Sequence, residues 1–478
     1  MYGSKCINQS YYDRKILINC DWFMRSCDCT TNVKPTLKNH NFDSFPSGTI
    51  VILHDKRMAS TWSLDILPND VLFKIFEYCD AYDLIRLGQT CKRLNEFIHL
   101  DTVWTKKSKK CLVTNQVSKR FRERCSLILN SYTAWRVSNN WKYGVYKKYI
   151  MCTKPKIIPW IRLTNDEIWW SCGSEILCFS RKMIVNRIRK GLCNHYYQQL
   201  SSSQNDIYRF LLWKNYVICS YRDGSITYFL KNTFNTPVYR IDNDINTCFS
   251  SIRAIDATSE YVISSNESGL ISMQKHPMIS TSCNRQVLTI NGLKMVKSLS
   301  VDPTETKFAV GSCGTGSTKI SLHIVNIERY KQIDTMQHQW KHGAGILDMV
   351  WDDPHTLLTC GYDTYIRKWD LRTQKCVCSW EDPTDAALYC LSSDHRYTMV
   401  TGTQYNCLAV LWDQRKTNFV QLYYVNPRTS STRSPIYSIQ FDNTHLYCAT
   451  DQHLITLDFL NCSQKNRFDY KSLYIGPS

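Results

Sequence analysis

One stretch of 32 residues constrains this chain most, because it is the clearest copy of a unit that recurs through the last two thirds of the sequence. It runs from His342 to Thr373 and reads HGAGILDMVWDDPHTLLTCGYDTYIRKWDLRT. Alternating polar and apolar residues predict three short strands, with a tight turn at residues 361–363 and a final Trp369-Asp370 pair. Such a unit cannot bury a sheet face alone, so the pattern predicts an all-β repeat fold.

This unit resembles the WD-repeat signature, in which a His before the first strand, an Asp in the turn and a Trp ending the third strand bond to one another. Those positions are His342, Asp363 and Trp369, and 27 residues separate the His from the Trp. A second Trp-Asp pair begins at Trp412. We interpret these four residues as structural groups that hold individual blades together.

Related units recur at steps of 41 to 49 residues, each with a small residue before its turn. These marker positions are Ser171, Ser220, Ser265, Gly311, Cys360, Thr401 and Ala449. The step is close to the about 40 to 45 residues of a four-stranded blade. We therefore predict a seven-bladed β-propeller over residues 139–461, or a six-bladed one if a weak copy is a loop. A strand at residues 145–152 is expected to pair with the last blade and close the ring.

The cysteines bear on the compartment. All 23 are scattered, and residues 1–15 lack the apolar core of a signal peptide. We expect reduced thiols, many of them buried, in a cytoplasmic or nuclear protein. No window approaches about 18 consecutive apolar residues, so no membrane partner is expected.

Residues 1–57 are polar and show neither a helical nor an alternating period, which predicts a disordered extension. The pair Cys27 and Cys29 has no second Cys pair or His nearby, so no metal site is expected there. A C-terminal tail is predicted over residues 462–478.

Residues 58–104 have a different character, because apolar residues fall at helical spacing in three short segments. Such a small three-helix bundle has too little core to be stable without further packing or a partner. The segment resembles an F-box, the adaptor-binding module of cullin-based ubiquitin ligases. The resemblance rests on Leu67-Pro68, Ile75-Phe76, Leu84, Cys91-Lys92-Arg93 and Trp104.

The resemblance implies that apolar side chains of this segment dock a Skp-type adaptor by entering a helical groove. The implied adaptor-binding residues are Leu67, Pro68, Leu72, Ile75, Phe76, Leu84 and Leu87. The alternative is an ordinary three-helix fragment that packs on the propeller.

Much of the formal charge of +18 lies between Thr105 and Ile150, where 12 Lys and Arg stand against one acid, Glu123. Apolar residues in this region step by three and four, which predicts a basic amphipathic helix that connects the F-box to the propeller over residues 105–138. The stripe consists of Val117, Phe121, Cys125, Ile128, Tyr132 and Trp135. A nuclear-localisation or nucleic-acid role for residues 106–110 is an alternative.

An F-box followed by WD repeats is the layout of the F-box/WD substrate receptors, and segments between residues 62 and 459 are similar to that family. The resemblance implies a non-catalytic subunit that holds a protein substrate near a cullin–RING ligase core. No catalytic, metal or cofactor pattern stands in the sequence, and nucleic acid is not an expected partner. Whether the substrate is phosphorylated stays open; the candidate phosphate-reading residues are Arg209, Arg222, Arg253, Arg367 and Arg396.

A second interpretation starts from the Arg that follows each Trp-Asp pair at a spacing of one residue. Arg372 and Arg415 would then contact the damaged-DNA-binding adaptor of another cullin family. A third interpretation is an interaction scaffold with no ligase role, or an RNA-associated propeller served by the basic connector.

Overall fold

The computed structural model describes residues 64–474 with several gaps, so the predictions for residues 1–57 and for His342 lie outside the described residues. The gaps are residues 155–157, 183–197, 202–204, 232–236, 243–250, 280–284, 291–292, 294, 313–321, 337–343 and 426–433. Seven four-stranded antiparallel sheets form a β-propeller, which confirms the seven-unit prediction.

Each of blades 1 to 6 is a meander of four consecutive strands. Blades 1 to 3 consist of β2 (Ile161–Leu163), β3 (Glu167–Cys172), β4 (Glu175–Ser180), β5 (Gln198–Ser201), β6 (Ile207–Trp213), β7 (Tyr216–Tyr221), β8 (Ile226–Leu230), β9 (Tyr239–Ile241), β10 (Ile252–Ala257), β11 (Tyr261–Asn266), β12 (Leu270–Lys275) and β13 (Arg285–Thr289). Blades 4 to 6 consist of β14 (Val296–Val301), β15 (Lys307–Ser312), β16 (Leu322–Asn326), β17 (Lys331–Thr335), β18 (Ile346–Asp353), β19 (Thr356–Gly361), β20 (Tyr365–Asp370), β21 (Lys375–Glu381), β22 (Leu388–Ser393), β23 (Thr398–Thr403), β24 (Leu408–Asp413) and β25 (Gln421–Tyr424).

Blade 7 joins the two ends of the propeller. It combines β26 (Ser438–Phe441), β27 (His445–Ala449) and β28 (His453–Asp458) with β1 (Lys147–Thr153). The first strand runs antiparallel to β28, with Lys147 opposite Asp458 and Thr153 opposite His453. This pairing confirms the expected closing strand and covers the edge that an open array would expose.

The middle strands of the blades are buried on both faces, because each sheet packs against its neighbours on either side. All six residues of β19 and of β24 are buried, as are the indoles of Trp369 and Trp412. Two innermost strands also bond to the next blade, since Asp256 accepts from the Val301 amide and Asp348 from the Leu391 amide. The weak repeat copies therefore fold through sheet packing, without a Trp-Asp pair.

The helices lie mainly before the propeller. They are α1 (Asn69–Tyr78), α2 (Ala81–Gly88), α3 (Lys92–Ile98), α4 (Asp101–Ser108), α5 (Lys119–Arg122) and α6 (Ser131–Lys142), and α7 (Lys471–Tyr474) follows the last blade. Pro68 directly precedes α1, and the Asp80 carboxylate caps α2 by accepting from the Asp83 amide at 2.8 Å. These local signals explain where the first two helices begin.

The connector differs from the single amphipathic helix that its spacing predicts. Residues 109–118 and 123–130 leave the helical conformation, and Val117 and Ile128 are 66% and 89% exposed. Phe121 and Cys125 are instead buried among residues of the propeller core. Tyr132 and Trp135 pack against the core of the helical segment that resembles an F-box, which we label the F-box below. The predicted stripe is wrong because its members serve two separate cores, which periodicity along one helix cannot distinguish.

Helix α6 links those two cores rigidly. At its start, Tyr132 and Trp135 lie 4.9 and 5.0 Å from the ring of Trp104 in the F-box. At its end, Trp141 stacks on Phe459 with ring centroids 3.8 Å apart. One helix therefore fixes the F-box relative to blade 7.

Residues after β28 pack back on the start of the propeller. The Phe468 amide donates to the Gly144 carbonyl at 2.7 Å, and the Tyr146 amide donates to the Asn466 carbonyl at 3.1 Å. Gly144 has φ +65°, and a side chain there would meet the Phe468 carbonyl, so this contact requires glycine.

Candidate functional site

The F-box has an apolar surface at the start of its first helix. Ile66 is 66% exposed, Pro68 is exposed, and Leu67 is half-buried. Arg93 holds this segment by donating to the Leu67 carbonyl at 2.7 Å and to the Asn69 side chain at 3.0 Å. The F-box thus presents a fixed apolar edge to solvent.

The seven sequence-predicted adaptor residues divide into two sets. Leu67, Pro68, Ile75 and Leu87 retain exposed surface. Leu72, Phe76 and Leu84 are at most 1% exposed and form the F-box core with Trp104. In this conformation the second set shapes the domain from inside, whereas the first set is available for contact with a partner.

The short helix α5 closes part of one end of the propeller channel. Arg120 donates to the carbonyls of Trp351 and Asp352 at 2.9 and 2.6 Å, where the innermost strand of blade 5 ends. Arg124 donates to the carbonyl of Ser393 and to the hydroxyl of Ser392, at the end of the innermost strand of blade 6. We call this end the connector face.

Arg124 is held at low solvent exposure between blades. Its guanidinium also donates to Gln440 of blade 7 at 3.3 Å and lies 5.2 and 5.4 Å from the rings of Phe121 and Phe441. Burial lowers the pKa of Arg124 to about 10, so the group stays charged near neutral pH. The connector therefore brings a half-buried positive charge to the channel.

Inside the ring, the innermost strands enclose a cavity of about 530 Å³ that is rich in cationic side chains. Seven cationic residues line it, namely Arg120, Arg124, Arg162, Arg209, Lys214, Lys231 and Lys297. Three acidic residues line it too, namely Glu123, Asp256 and Asp348. We call this space the channel cavity, and its lining favours anionic ligands.

The opposite end of the channel, which we call the rim, is built by one recurring backbone feature. In blades 2 to 6, the register between the two inner strands shifts at the second residue of the innermost strand. Such β-bulges redirect a side chain and are common beside binding sites. The bulged residues are Tyr208, Arg253, Lys297, Leu347 and Tyr389, with Pro159 and Tyr437 at the matching places in blades 1 and 7.

All seven of these residues line one recess of about 150 Å³, together with Tyr362 from a turn of blade 5. The ring of Tyr389 lies 6.2 Å from that of Tyr362 and 5.9 Å from that of Tyr437. Aromatic rings of this kind offer rigid contact area with a polar tip, as protein-binding surfaces often do. The rim is therefore a candidate surface for a protein partner.

The five scattered arginines proposed from sequence do not share one surface. Arg209 and Arg253 line the rim. Arg367 is 8% exposed and forms an ion pair with Asp363 inside blade 5, and Arg222 and Arg396 line neither the rim nor the channel cavity. Sequence reasoning missed Lys297 and the rim tyrosines, whose signal is their shared position at the second residue of an innermost strand.

Two of the blade-stapling residues, Trp369 and Trp412, donate to threonine hydroxyls, whereas the bonds predicted for His342 lie outside the described residues. The indole of Trp369 donates to the Thr359 hydroxyl at 2.9 Å, and that of Trp412 donates to the Thr401 hydroxyl at 3.0 Å. Asp363 pairs with Arg367. The sequence offered one missed signal, since a Thr precedes the Trp by 10 or 11 residues in both repeats.

The two Arg residues after the Trp-Asp pairs each bind their own Asp. Arg372 pairs with Asp370 at 2.8 Å and stays 68% exposed. Arg415 pairs with Asp413, lies 4.2 Å from the ring of Tyr397 and donates to the Lys110 carbonyl of the connector. The side chain of Arg415 therefore already contacts the chain's own connector.

The described residues carry no feature of metal binding, of membrane spanning by helices or of thiolate chemistry. They hold no cluster of three or more His, Cys, Asp or Glu side chains that could bind a metal ion. Within the same residues, no helix is both long enough and apolar enough to span a membrane. Burial raises the pKa of several thiols, including that of Cys172 to about 12 and that of Cys407 to about 11, which disfavours their nucleophilic thiolate form.

Comparisons with known proteins agree with this architecture. A family model described as F-box-like matches residues 64–110, the region of helices α1 to α4. Human F-box/WD repeat-containing protein 4, also called dactylin, is 28% identical over 418 residues, covering 85% of this chain and 95% of the human protein. The mouse protein of the same name is 28% identical over 403 residues, covering 83% of this chain and 93% of its own length. Over most of its length the chain is therefore similar to F-box/WD-repeat proteins.

An F-box joined to a propeller supports a general role as the substrate receptor of a ubiquitin ligase. F-box/WD-repeat proteins are typically non-catalytic adaptor subunits.

Proposed function

We propose that this chain is the substrate-recognition subunit of a Skp–cullin–F-box ubiquitin ligase, in which the F-box docks a Skp-type adaptor and the rim binds the protein substrate. The observation that carries the proposal is the rigid link through α6, because it joins an F-box core at Trp104 to the propeller at Phe459. A receptor needs such rigidity, since catalysis by proximity depends on holding the substrate at a fixed distance from the ligase core.

The adaptor would contact the exposed apolar edge at residues 66–68, with Ile75 and Leu87 contributing their exposed parts. An apolar edge of this kind, on a domain with a small core, fits a helical groove of a partner. Leu72, Phe76 and Leu84 would support this surface from inside.

The substrate would bind at the rim, which faces away from the ends of the innermost strands that contact α5. Three cations and four tyrosines line the recess, namely Arg209, Arg253, Lys297, Tyr208, Tyr362, Tyr389 and Tyr437. No acidic residue lines it within the described part of the chain, although Arg253 pairs with Glu267 beside it. This composition favours an acidic or phosphorylated segment with apolar or aromatic anchors.

The test combines co-purification with two sets of variants of the full chain. Leu67→Ala with Pro68→Ala should lower recovery of a Skp-type adaptor at least tenfold while proteins bound at the rim are retained. Tyr389→Ala with Tyr437→Ala should do the reverse. Val377→Ala, a variant of a 53% exposed residue on β21, is the matched control and should change neither. Unchanged adaptor recovery in the first variant would contradict the proposal.

A further inference from the structure

The channel cavity has a size and a boundary that suit a small ligand. Its volume of about 530 Å³ lies within the range of about 300–1,000 Å³ that is usual for small-molecule sites. It meets the rim recess, because Trp160, Arg209 and Lys297 line both spaces. At the connector face, Arg120 and Arg124 of the α5 region limit it. A ligand would therefore enter from the rim.

Two guanidinium groups in the cavity have no hydrogen-bond acceptor among the described residues. Arg162 and Arg209 form no hydrogen bond or ion pair through their side chains within the described part of the chain. Both lie against one indole, with Cζ atoms 5.6 and 3.3 Å from the centroid of Trp160. A guanidinium carries five N–H donors in a planar fork that matches phosphate and carboxylate oxygens. The two guanidinium groups therefore lie on one wall of the cavity, and neither has a hydrogen-bond acceptor among the described residues.

The indole between them adds another donor. Trp160 is 8% exposed, and its Nε1 is buried with no hydrogen-bond acceptor among the described residues. At the other end of the cavity, the Nε of Arg124 is also buried and has no hydrogen-bond acceptor among the described residues. Buried donors normally have partners, so an anion in the cavity would satisfy several of them at once.

The nearby carboxylates are engaged elsewhere. Asp256 accepts from the amides of Val301 and Ala257 at 2.8 and 2.9 Å. Asp348 accepts from the amides of Leu391 and Met349 at 2.9 and 3.0 Å. Burial also raises the pKa of both carboxyl groups. Both carboxylates still act electrostatically on Arg162, and Asp348 also acts on Arg209, but the lining holds seven cationic residues against three acidic ones.

From these contacts we infer that the channel cavity is a binding site for a small polyanion that carries several phosphate groups, with Arg162, Arg209 and the Trp160 indole N–H as its principal donors. One phosphate brings a charge of about −1.5 to −2. The lining has seven cationic and three acidic residues, so a single phosphorylated side chain would leave much of the excess unbalanced. A small molecule with several phosphates balances it within one cavity.

The test is direct titration of the full chain with inositol hexakisphosphate, followed by calorimetry and by Trp fluorescence at constant ionic strength. We expect saturable one-to-one binding that quenches fluorescence, and no binding of uncharged inositol. Arg162→Gln and Arg209→Gln should each weaken the dissociation constant at least tenfold. Arg136→Gln, which removes the same charge from an exposed position of α6, should change it less than twofold.

Two measurements keep the result interpretable. A thermal melt of each variant establishes that the propeller is folded, and Arg162→Lys should recover part of the affinity because it restores the charge without the planar fork. Displacement by sulfate at equal ionic strength, or equal weakening by Arg136→Gln, would overturn the inference. So would tight, Arg162-dependent binding of a singly phosphorylated peptide with none of the free polyphosphate. The titration needs no adaptor, so it is independent of the proposed ligase role.

Discussion

Arg181, directly after the third strand of blade 1, forms a buried ion pair with Asp442 in the first turn of blade 7. Their side chains are 4% and 0% exposed. The Arg181 guanidinium also donates to the carbonyls of Arg124 and Thr164, at 2.5 and 2.8 Å. A single side chain thus joins the connector to the two blades at which the ring closes.

Loss of that pair should destabilise the closed ring. Arg181→Met leaves the buried Asp442 carboxylate without its counter-charge, which typically costs about 3–5 kcal/mol. We expect a fall of that size in the free energy of unfolding, measured by urea denaturation. The control is Lys182→Met, because the neighbouring Lys182 makes only an exposed pair with Asp166 and should change stability by less than about 0.5 kcal/mol. Equal effects in the two variants would show that the buried pair does not stabilise the seam.

The threonine that accepts from each Trp-Asp indole should matter for blade stability. Thr401→Val keeps the side-chain shape but leaves the buried Trp412 N–H, now bonded at 3.0 Å, without this acceptor. An unpaired buried donor costs about 1–3 kcal/mol, so the thermal melting temperature should fall. Thr417→Val, at an exposed position in the same blade, is the matched control. A melting temperature identical to that of the unchanged protein would show that the bond from Trp412 to Thr401 does not stabilise the blade.

The distinction between F-box core and F-box surface is open to a separate test. Leu84→Ala creates a cavity at a fully buried site and should cost about 2–5 kcal/mol within the F-box. Hydrogen exchange should then accelerate in α1 to α3 and leave the blades protected. Tyr78→Ala, at an 84% exposed position of α1, should leave exchange unchanged. Uniform acceleration along the whole chain would instead mean that the F-box and propeller unfold together.

Features of the fold that depend on contacts between residues near one another in the chain could be predicted from the sequence. Features that depend on contacts between distant parts of the chain could not. The steps between Ser171, Ser220 and Ser265 predicted the blade count, because each blade is a local meander. The register shifts that place Tyr208 and Lys297 on one rim arise from pairing between strands, which no single-strand period records. The same limit explains Phe121, whose helical spacing gave no sign that it packs beside Phe441 across 320 residues of chain.

Buried histidines should make stability depend on pH. Burial lowers the pKa of His276 to about 4, where the ring stacks on Trp213 with centroids 3.8 Å apart. Its unfolded value is about 6.5, so the unfolded chain binds a proton at a higher pH than the folded chain. The contribution of His276 is therefore fully present above about pH 6.5 and is lost as the pH falls towards 4, by up to about 1.4 kcal/mol per pH unit.

His276→Gln tests that contribution. The variant should be less stable at neutral pH, because the His276 ring bonds Tyr228 and the Thr258 carbonyl at 3.0 and 3.1 Å. Its unfolding free energy should also fall less steeply between pH 6.5 and 4, as measured by urea denaturation at several pH values. His355→Gln, at an exposed position, should keep the slope of the unchanged protein. Identical slopes for the unchanged protein and His276→Gln would contradict the assignment.

The two Arg residues after the Trp-Asp pairs should behave differently from each other, because only one of them contacts the connector. Arg415→Ala removes the cation–π contact with Tyr397 and the bond to the Lys110 carbonyl, and should lower stability by about 1 kcal/mol. Arg372→Ala removes a pair at a 68% exposed side chain and should change stability by less than about 0.5 kcal/mol. Both changes can be measured as shifts in the urea midpoint.

The same two variants discriminate between the adaptor hypotheses. If the F-box docks the adaptor, Arg372→Ala should leave the recovery of every ligase subunit unchanged, because its side chain lies on the propeller and binds only Asp370 among the described residues. The other cullin family would be favoured by a damaged-DNA-binding adaptor that co-purifies with the unchanged protein and with Leu67→Ala plus Pro68→Ala. The same adaptor would have to be lost in Arg372→Ala. Because Arg415 already contacts the connector, Arg372 is the decisive residue of the pair.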